Sequence, residues 1–454
     1  DRWSRRQNRR RWARADGSRR VRAVGRLSRT LPPMQDSPLT ALGDEERERL
    51  QRRTLRTLLS GIIPGGAAMS SAYSSAAILG EELSGSETLG GVAASGLTMG
   101  AALTAIPLAR FMATRGRRPG IAGGYALAST GSLLCLSAVL SGWYPVLVLG
   151  MSVVGLGYAA NMAARFAAAD MATEAGSAIG MLVWGSTFGS VLGPILGFGP
   201  IRSMATKLGL AELAGPYLLS AVLFLVAASA VHLFLRPDPL VVTGVLGQSG
   251  ERTPLRGFVT PILNSPDGRL AVGSMVVGHA VMVGVMTMMP LHLRSGGQGL
   301  QVVGFVISLH IVGMYAFSPI VGKLVDRVGP RPVIAVGGVL LAVGADVSAH
   351  NAAHESAGAF LGMFLIGVGW SCGLIASSAL LVRTFTGPDR VGIQGLADLC
   401  MSGGGAAAGV TAGFIVATTE FHVLSHGAIV VGIIPTLVVI MGWWSTRRTA
   451  DLQR

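Results

Sequence analysis

The sequence contains few charged residues, few aromatic residues and few cysteines. Only 13% of its 454 residues are charged and 6% are aromatic, whereas about a quarter of the residues in a soluble protein are charged. Three cysteines, Cys135, Cys372 and Cys400, lie far apart in apolar stretches, which excludes a disulfide framework or a cysteine-based zinc site. We find neither a nucleophile–base pair nor a phosphate-binding loop, so the sequence does not predict an enzyme.

Hydrophobic residues and glycine are abundant instead. Half of the chain is hydrophobic and 64 residues are Gly, a composition typical of membrane proteins. The net charge of +14 comes mainly from residues 1–33, which hold twelve Arg and two Asp. We expect residues 1–53 to be a disordered cytoplasmic tail. It is either an arm that touches anionic lipid or nucleic acid, or an extension before the native start at Met34. We favour the second and expect no nucleic-acid partner.

Twelve apolar runs are long enough to cross a bilayer, which requires about 20 residues each. They cover residues 55–79, 88–112, 119–141, 144–167, 175–199, 215–235, 270–292, 301–322, 331–349, 356–381, 393–417 and 424–444. The sequence therefore predicts an all-α membrane protein with twelve transmembrane helices.

The longest polar interruption divides these runs six plus six. We predict an N-terminal half at 54–235, a cytoplasmic linker at 236–269, a C-terminal half at 270–445 and a cytoplasmic tail at 446–454. Arg and Lys concentrate in one set of connections, among them Arg117, Arg256 and Arg331. By the positive-inside rule both termini are cytoplasmic, and we expect the protein in the plasma membrane.

Two loops share one pattern, at equivalent places in the two halves. They read "ARFMATRGRRP" at 109–119 and "GKLVDRVGPRP" at 322–332. The second resembles the signature loop GxLxDRxGRR of the major facilitator superfamily. Over all twelve runs, the resemblance implies two related six-helix halves and transport by alternating access.

The resemblance also assigns gating roles to the loop residues. They are Gly322, Asp326, Arg327 and Gly329, together with Arg117 and Asp170 of the first half. Asp326 is expected near the positive end of a helix or near an arginine, and Asp170 is the expected partner of Arg117. Both copies depart from the pattern, with Ala113 in place of Asp and Pro330 in place of Arg.

The fifth run, "GMLVWGSTFGSVLGPILG", resembles the antiporter motif GxxxxxxxxGxxxGPxxGG of proton-coupled drug exporters. The final Gly of that motif is Phe198 here. Small residues at this spacing let helices approach closely, and proline adds a kink. We therefore predict a hinge formed by Gly180, Gly189, Gly193, Pro194 and Gly197.

Soft metal ligands recur on the seventh and eighth runs. Met282 and Met286 lie one turn apart on the seventh run, as do His310 and Met314 on the eighth. At about 1.5 Å per residue, Met282 and His310 lie at similar depths. Thioether and imidazole are ligands that Cu(I) prefers. Met275 and His279 continue the stripe of the seventh run and form a possible path.

The pair MxxxM and HxxxM resembles the CcoA-type copper importers of the major facilitator superfamily. The resemblance implies that Met282, Met286, His310 and Met314 bind copper, which the protein carries into the cytoplasm as its substrate. Methionine is also a common filler of helix packing, and His310 could instead couple protons or bind an organic molecule. The alternative function is therefore proton-coupled export or import of a small organic compound, such as a drug or a riboflavin-like molecule. We expect a monomer that uses the lipid bilayer and one substrate, without a resident cofactor.

Overall fold

The computed structural model describes residues 43–248, 253–352 and 354–451, and within these ranges every regular element is helical. The all-α prediction is confirmed. Residues 1–42, which make up most of the expected basic tail, lie outside the described residues, as do the last three residues of the chain.

Long helices form twelve spans, which we number in chain order. Spans 1–6 are Asp44–Ser84, Glu87–Arg115, Arg117–Ser141, Tyr144–Ala169, Ala175–Leu196 and Ala214–Phe234. Spans 7–12 are Pro266–Ser295, Leu300–Tyr315 continued by Ser318–Val328, Pro330–Ala349, Ala357–Thr384, Arg390–Thr418, and Phe421–Gly432 continued by Ile434–Asp451. In the described part of the chain, eleven helices are long and apolar enough to cross a membrane, and span 1 is not among them.

Span 1 begins earlier than the sequence predicts. Residues 44–53, which we expected to belong to a disordered tail, are the first turns of a 41-residue helix. Its first turn is acidic, which favours the helix through its dipole. Arg49 pairs with Glu45 and Arg52 with Glu48, each at 3.5 Å and one helical turn apart. These local pairs favour helix over coil, and the expectation of disorder was wrong for this segment.

Short helices occupy the connection between spans 6 and 7. They are Pro239–Val242 and Leu255–Asn264. Asp238 caps the first, because its Oδ1 accepts from Leu240 N at 2.9 Å, and its Oδ2 accepts from Arg118 N at 2.7 Å. The connection is therefore fastened to the start of span 3. Span 7 begins at Pro266, within the predicted linker.

Two apolar cores hold the bundle together. Apart from Val391, one core consists of residues between Leu58 and Leu240, and the other draws mainly on residues between Phe258 and Ala428. Hydroxyl groups fasten helices within each half. Ser220 Oγ donates to Ala68 O at 2.8 Å in the first half, and Thr436 Oγ1 donates to Ala335 O at 2.7 Å in the second. The two six-helix halves thus each have their own packing.

Candidate functional site

An ion pair between Arg165, near the end of span 4, and Asp398 of span 11 joins the two halves. The guanidinium also donates to Ser378 Oγ of span 10 at 3.0 Å and to Met162 O at 2.6 Å. Its central carbon lies 4.3 Å from the centroid of the Phe166 ring. Arg165 is 1% exposed, so the pair compensates a charge that would otherwise be costly inside the bundle.

Aromatic side chains lie beside this ion pair. Trp370 Nε1 donates to His279 Nδ1 at 3.0 Å, which links span 10 to span 7. The Trp370 ring meets the Tyr315 ring edge to face, with centroids 5.9 Å apart. Tyr158 packs against both apolar cores and is close enough to Arg165 to interact with it electrostatically. We call the ion pair and these four rings the central cluster: Tyr158, Arg165, His279, Tyr315, Trp370 and Asp398.

A small cavity of 20 Å³ separates the two halves beside the ion pair. Spans 2, 3 and 4 of the first half and span 11 of the second line it, and its polar lining residues are Arg117, Tyr158, Gln394, Asp398 and Ser402. Such a volume holds about one water molecule. In this conformation the halves are therefore nearly closed against each other along spans 2, 4 and 11.

His310 is fully buried against span 10. Its Nδ1 lies 2.7 Å from Met363 O, and because a carbonyl can only accept, Nδ1 carries a proton. Its Nε2 is buried and has no hydrogen-bond partner among the residues that the structure describes. The ring therefore presents an unused lone pair inside the second half, as metal-binding histidines do when a carbonyl orients the other nitrogen.

The methionines predicted to bind copper lie in or against the apolar core of the second half. Met282 is 4% exposed and Met314 is 7% exposed, and Met286 packs against that core from its edge. No described hydrogen bond joins His310 to any of them. Among the described residues, no three His, Cys, Asp or Glu side chains are grouped so that they could hold a metal ion. A copper site of the predicted kind would therefore combine one imidazole nitrogen, from His310, with thioether sulfurs.

The two residues of the predicted path differ in role. Met275 is buried in the core of the second half. His279 belongs to the central cluster, where it accepts from Trp370. Met289, which follows no ligand pattern, is fully buried, whereas Met288 is only partly buried.

Asp326 connects the end of span 8 to the start of span 5 in the other half. Its carboxylate accepts from Gly176 N at 3.0 Å and from Ser177 N at 2.6 Å, and Arg383 Nη2 donates to it at 3.0 Å. It therefore caps the positive end of a helix. We call this end of the bundle, where spans 5 and 8 meet, the latch end.

The neighbouring loop residues shape this contact. A Cβ on Gly176 would lie 2.6 Å from Gly322 O, so glycine is required for the approach of the two helices. Gly329 ends span 8 with a φ of 89°, a conformation that favours glycine. Arg327 is exposed beside it.

A second contact at the latch end involves Asp170, at the end of span 4. Arg117 Nε donates to its Oδ2 at 2.9 Å, and Arg390 Nη2 of span 11 donates to its Oδ1 at 3.1 Å. Arg117 also donates to Gln394 Oε1 of span 11 at 2.6 Å. The side chains of Asp170 and Arg117 are almost fully buried, and their opposite charges compensate each other. Arg390 and Gln394 extend this contact to the second half.

The glycine motif of span 5 faces two partners. Gly189, Gly193 and Gly197 pack against span 1, where a Cβ on Gly189 would lie 2.8 Å from Ala67 N. Gly180 packs instead against Ser318 of span 8 in the other half. Pro194 is followed by a π-helical segment, Gly197–Ile201, which interrupts the α-helical geometry of the span.

Sequence reasoning missed Arg165, Tyr158 and Trp370. Arg165 lies inside the fourth apolar run, and a charged residue inside such a run is itself a signal of function. The two aromatic residues carry no comparable signal, because only the fold brings Trp370 to His279. Asp346 carries a charge in the ninth run, but its side chain is 54% exposed and lies beside His350.

Comparisons with known proteins agree with the all-helical fold. The sequence profile described as Major Facilitator Superfamily matches residues 58–309 and 297–453. The chain is 32% identical to the uncharacterized MFS-type transporter YddS of Bacillus subtilis (strain 168), over 90% of this chain and 94% of that protein. It is 26% identical to the riboflavin transporter RfnT of Brucella anthropi, over 77% and 85% of the two chains. The crystal structure of the human organic anion transporter MFSD10 has a similar fold, with a TM-score of 0.71 at 12% identity, covering 86% of this chain and 99% of that one.

Proposed function

The chain belongs to the major facilitator superfamily, and on that premise we propose that it is a proton-coupled transporter of a small organic molecule that contains a planar ring. The family consists of multi-pass membrane transporters and not of enzymes, and its members act on small molecules within the lipid bilayer.

The observation that carries the proposal is the composition of the central cluster. Both halves contribute to it: Tyr158 and Arg165 come from the first, and His279, Tyr315 and Trp370 from the second. Estimated at about 1.5 Å per residue, the four rings lie roughly 16 to 21 Å from the latch end, near the middle of their spans. A site shared by both halves at this depth is where alternating access requires the substrate.

The chemistry of the cluster suits a planar, polar molecule. Tyrosine and tryptophan rings stack on flat rings and offer edge-to-face contacts. The indole N–H, the guanidinium and the carboxylate supply donors and acceptors for polar substituents. The riboflavin transporter among the relatives supports a heterocyclic substrate of this kind.

Asp398 and Arg165 supply a means of proton coupling. Protonation of the carboxylate would remove its charge and release the guanidinium, which could then bind the substrate. Loss of the proton would restore the ion pair and displace the substrate. Because protonation of Asp398 favours binding of the substrate to Arg165, the two binding events are positively coupled, as co-transport of a proton and a substrate requires.

Transport by purified protein in liposomes tests the proposal. Riboflavin and a panel of heterocyclic compounds are offered with and without an imposed pH gradient. We expect one of the planar compounds to accumulate only with the gradient, and Asp398→Asn to abolish that dependence. Accumulation that ignores the gradient, or that survives Asp398→Asn with its pH dependence unchanged, would contradict the proposal.

Copper uptake into the cytoplasm is a second candidate, and the His310 ring favours it. The ring is buried, its Nδ1 is held by Met363 O, and its Nε2 is left without a partner. We propose in this case that Nε2 and the sulfurs of Met282, Met286 and Met314 bind Cu(I) in passage. The thioethers are uncharged, so apart from the unpartnered imidazole nitrogen the empty site costs little to bury.

The same liposomes separate the two candidates. Copper uptake would be measured with a Cu(I) chelator inside the liposome, in the absence of organic substrate. Copper flux that requires His310 supports the second candidate, whereas copper flux equal to that of empty liposomes excludes it.

We further propose that the protein works as a monomer in the plasma membrane. The latch end and both termini lie in the cytoplasm, because arginine concentrates at that end.

A further inference from the structure

Four arginines line an open cleft of 420 Å³ at the latch end of span 1. They are Arg49, Arg52, Arg53 and Arg56, which follow one another at i, i+3, i+4 and i+7 and so lie on one face of the helix. Thr57, Ser60 and Phe234 complete the lining, the last from the end of span 6. The cleft lies outside the central cluster and the latch contacts, and neither uses these arginines.

The positive charge in the cleft is only partly compensated. Arg49 and Arg52 each meet a glutamate at 3.5 Å, and these pairs are highly exposed, so they contribute little. Arg53 and Arg56 make no ion pair or hydrogen bond within the part of the chain that the structure describes. Four guanidinium groups around one concave space therefore favour an anionic ligand, and guanidinium binds phosphate oxygens in pairs.

The position of the cleft indicates which phosphate it receives. Leu58, two residues beyond Arg56, is buried in the apolar core, so the cleft lies where span 1 passes from polar to apolar surroundings. Beyond it, span 6 exposes Phe234, Leu233 and Val226 on its outer surface. A ligand here finds positive charge at headgroup level and an apolar surface directly adjoining it.

We propose that this cleft binds the phosphate groups of an anionic phospholipid, whose acyl chains lie along the exposed face of span 6. Basic clefts between helices at the membrane surface suit such headgroups, and a lipid with two phosphates such as cardiolipin would use all four arginines. A soluble phosphate would meet the same arginines but would gain nothing from span 6.

Occupancy of the cleft has a structural consequence. The same turns of span 1 hold the end of span 4, because Gln51 Nε2 donates to Ala168 O at 2.7 Å. Asp170, which takes part in the latch contacts, directly follows span 4. A lipid that draws the four arginines together stabilises these turns and with them the closed latch end.

The experiment compares wild-type protein with Arg53→Gln/Arg56→Gln in lipid-depleted detergent. Cardiolipin, phosphatidylcholine or inorganic phosphate is titrated while the thermal midpoint is followed, and native mass spectrometry counts retained lipids. We expect cardiolipin, and neither of the others, to raise the midpoint of the wild type. The double substitution should weaken cardiolipin binding roughly 30-fold, on the basis of about fivefold per arginine.

Matched controls make the result decisive. Arg115→Gln/Arg256→Gln removes two exposed arginines at the same end of the bundle, outside the cleft, and should leave cardiolipin affinity unchanged. Arg53→Lys/Arg56→Lys keeps the charge and should retain most of the binding. Equal losses in the cleft and control variants would overturn the proposal, because they indicate general surface charge. An equal effect of inorganic phosphate would overturn the assignment to a lipid.

Discussion

Asp170 of span 4 and Arg390 of span 11 form an ion pair across the two halves, with 3.1 Å between Oδ1 and Nη2. The first signature loop lacks the acid of the second, because Ala113 occupies the position that Asp326 holds in the second loop. Asp170 supplies a carboxylate contact between the halves on the side of the first loop. In the second half, the carboxylate of Asp326 caps a helix of the opposite half. The first half reaches the other half through paired side chains.

We predict that Arg390→Gln and Arg117→Gln have different effects. Arg390→Gln leaves Asp170 paired with Arg117, so the fold survives, but the latch loses one charged hydrogen bond worth about 1.5–3 kcal/mol. Arg117→Gln removes two hydrogen bonds to Asp170 and one to Gln394, so it should cost more, about 3–5 kcal/mol of stability, although Arg390 still pairs with Asp170. Thermal unfolding distinguishes them. Equal midpoints for the two variants would contradict this difference.

Opening of the latch end can be read from alkylation of Val391→Cys in a chain whose three native cysteines are replaced by serine. Val391 is 1% exposed in this conformation. Asp326→Asn should raise the alkylation rate roughly tenfold and slow transport, because a neutral amide caps span 5 less well. The unfolding midpoint should change little. Asp44→Asn, at an exposed acid in the first turn of span 1 at the same end of the bundle, is the control. An unchanged alkylation rate in Asp326→Asn would show that the carboxylate does not hold the latch.

Gly180→Val should hold the latch end open. The added side chain would overlap Ser318 O of span 8, so spans 5 and 8 could not approach. We expect fast alkylation of Val391→Cys and loss of transport. Gly123→Val, at a helix position with nothing within 4 Å of its Cβ, is the matched control. Normal transport by Gly180→Val would mean that this approach is dispensable.

Arg165→Gln and Asp398→Asn should each destabilise the protein by about 3–5 kcal/mol, because each leaves one charge buried without its partner. The double substitution removes both charges and should recover much of that stability. Asp398→Asn should abolish uptake driven by a proton gradient while exchange of labelled for unlabelled substrate continues. Thermal unfolding and liposome exchange measure these effects. A double variant less stable than both single variants would refute the pairing.

If copper is the cargo, His310→Ala should abolish copper accumulation in cells grown in low copper, as should Met282→Ala/Met286→Ala. The protein should remain in the membrane at normal amounts, as judged by immunoblot. Met288→Ala is the control, because that side chain is only partly buried and fits no ligand pattern. Met289 is unsuitable, since truncation of a fully buried methionine leaves a cavity that costs about 2–5 kcal/mol. Copper content equal to the wild type in His310→Ala would remove this candidate.

The sequence was most informative where a few neighbouring residues decide the outcome. Apolar runs of about 20 residues predict spans without knowledge of their partners, and the loop around Asp326 carries a local pattern. The predicted tail ends too late, at residue 53, because the excess of arginine hides a helix signal. That signal is the pairing of Glu45 with Arg49 and of Glu48 with Arg52, each one helical turn apart.

The candidate site depends instead on contacts between distant parts of the chain. Arg165 and Asp398 are separated by 233 residues, and no sequence pattern around either residue indicates that the other is its partner. His310 was found from its residue type, but the partner that fixes its tautomer is the backbone carbonyl of Met363, which no residue type encodes. The depth of the methionines along spans 7 and 8 could be estimated from the sequence at about 1.5 Å per residue. The direction in which each methionine-bearing face of these helices points could not.

The two contacts at the latch end also differ in how they can change by mutation. Asp326 receives two of its hydrogen bonds from main-chain amides, which every residue other than proline provides. Substitutions at Gly176 or Ser177 therefore cannot remove the donor groups, and a variant that has lost Asp326 cannot regain the contact by exchanging those donors. The Asp170 contact consists of side chains on both sides, so loss of one partner can be compensated by a reciprocal change in the other. Selection for restored transport should accordingly yield second-site revertants at Arg390 or Arg117 when Asp170 is substituted. When Asp326 is substituted, it should yield only changes at codon 326 itself or elsewhere in the bundle.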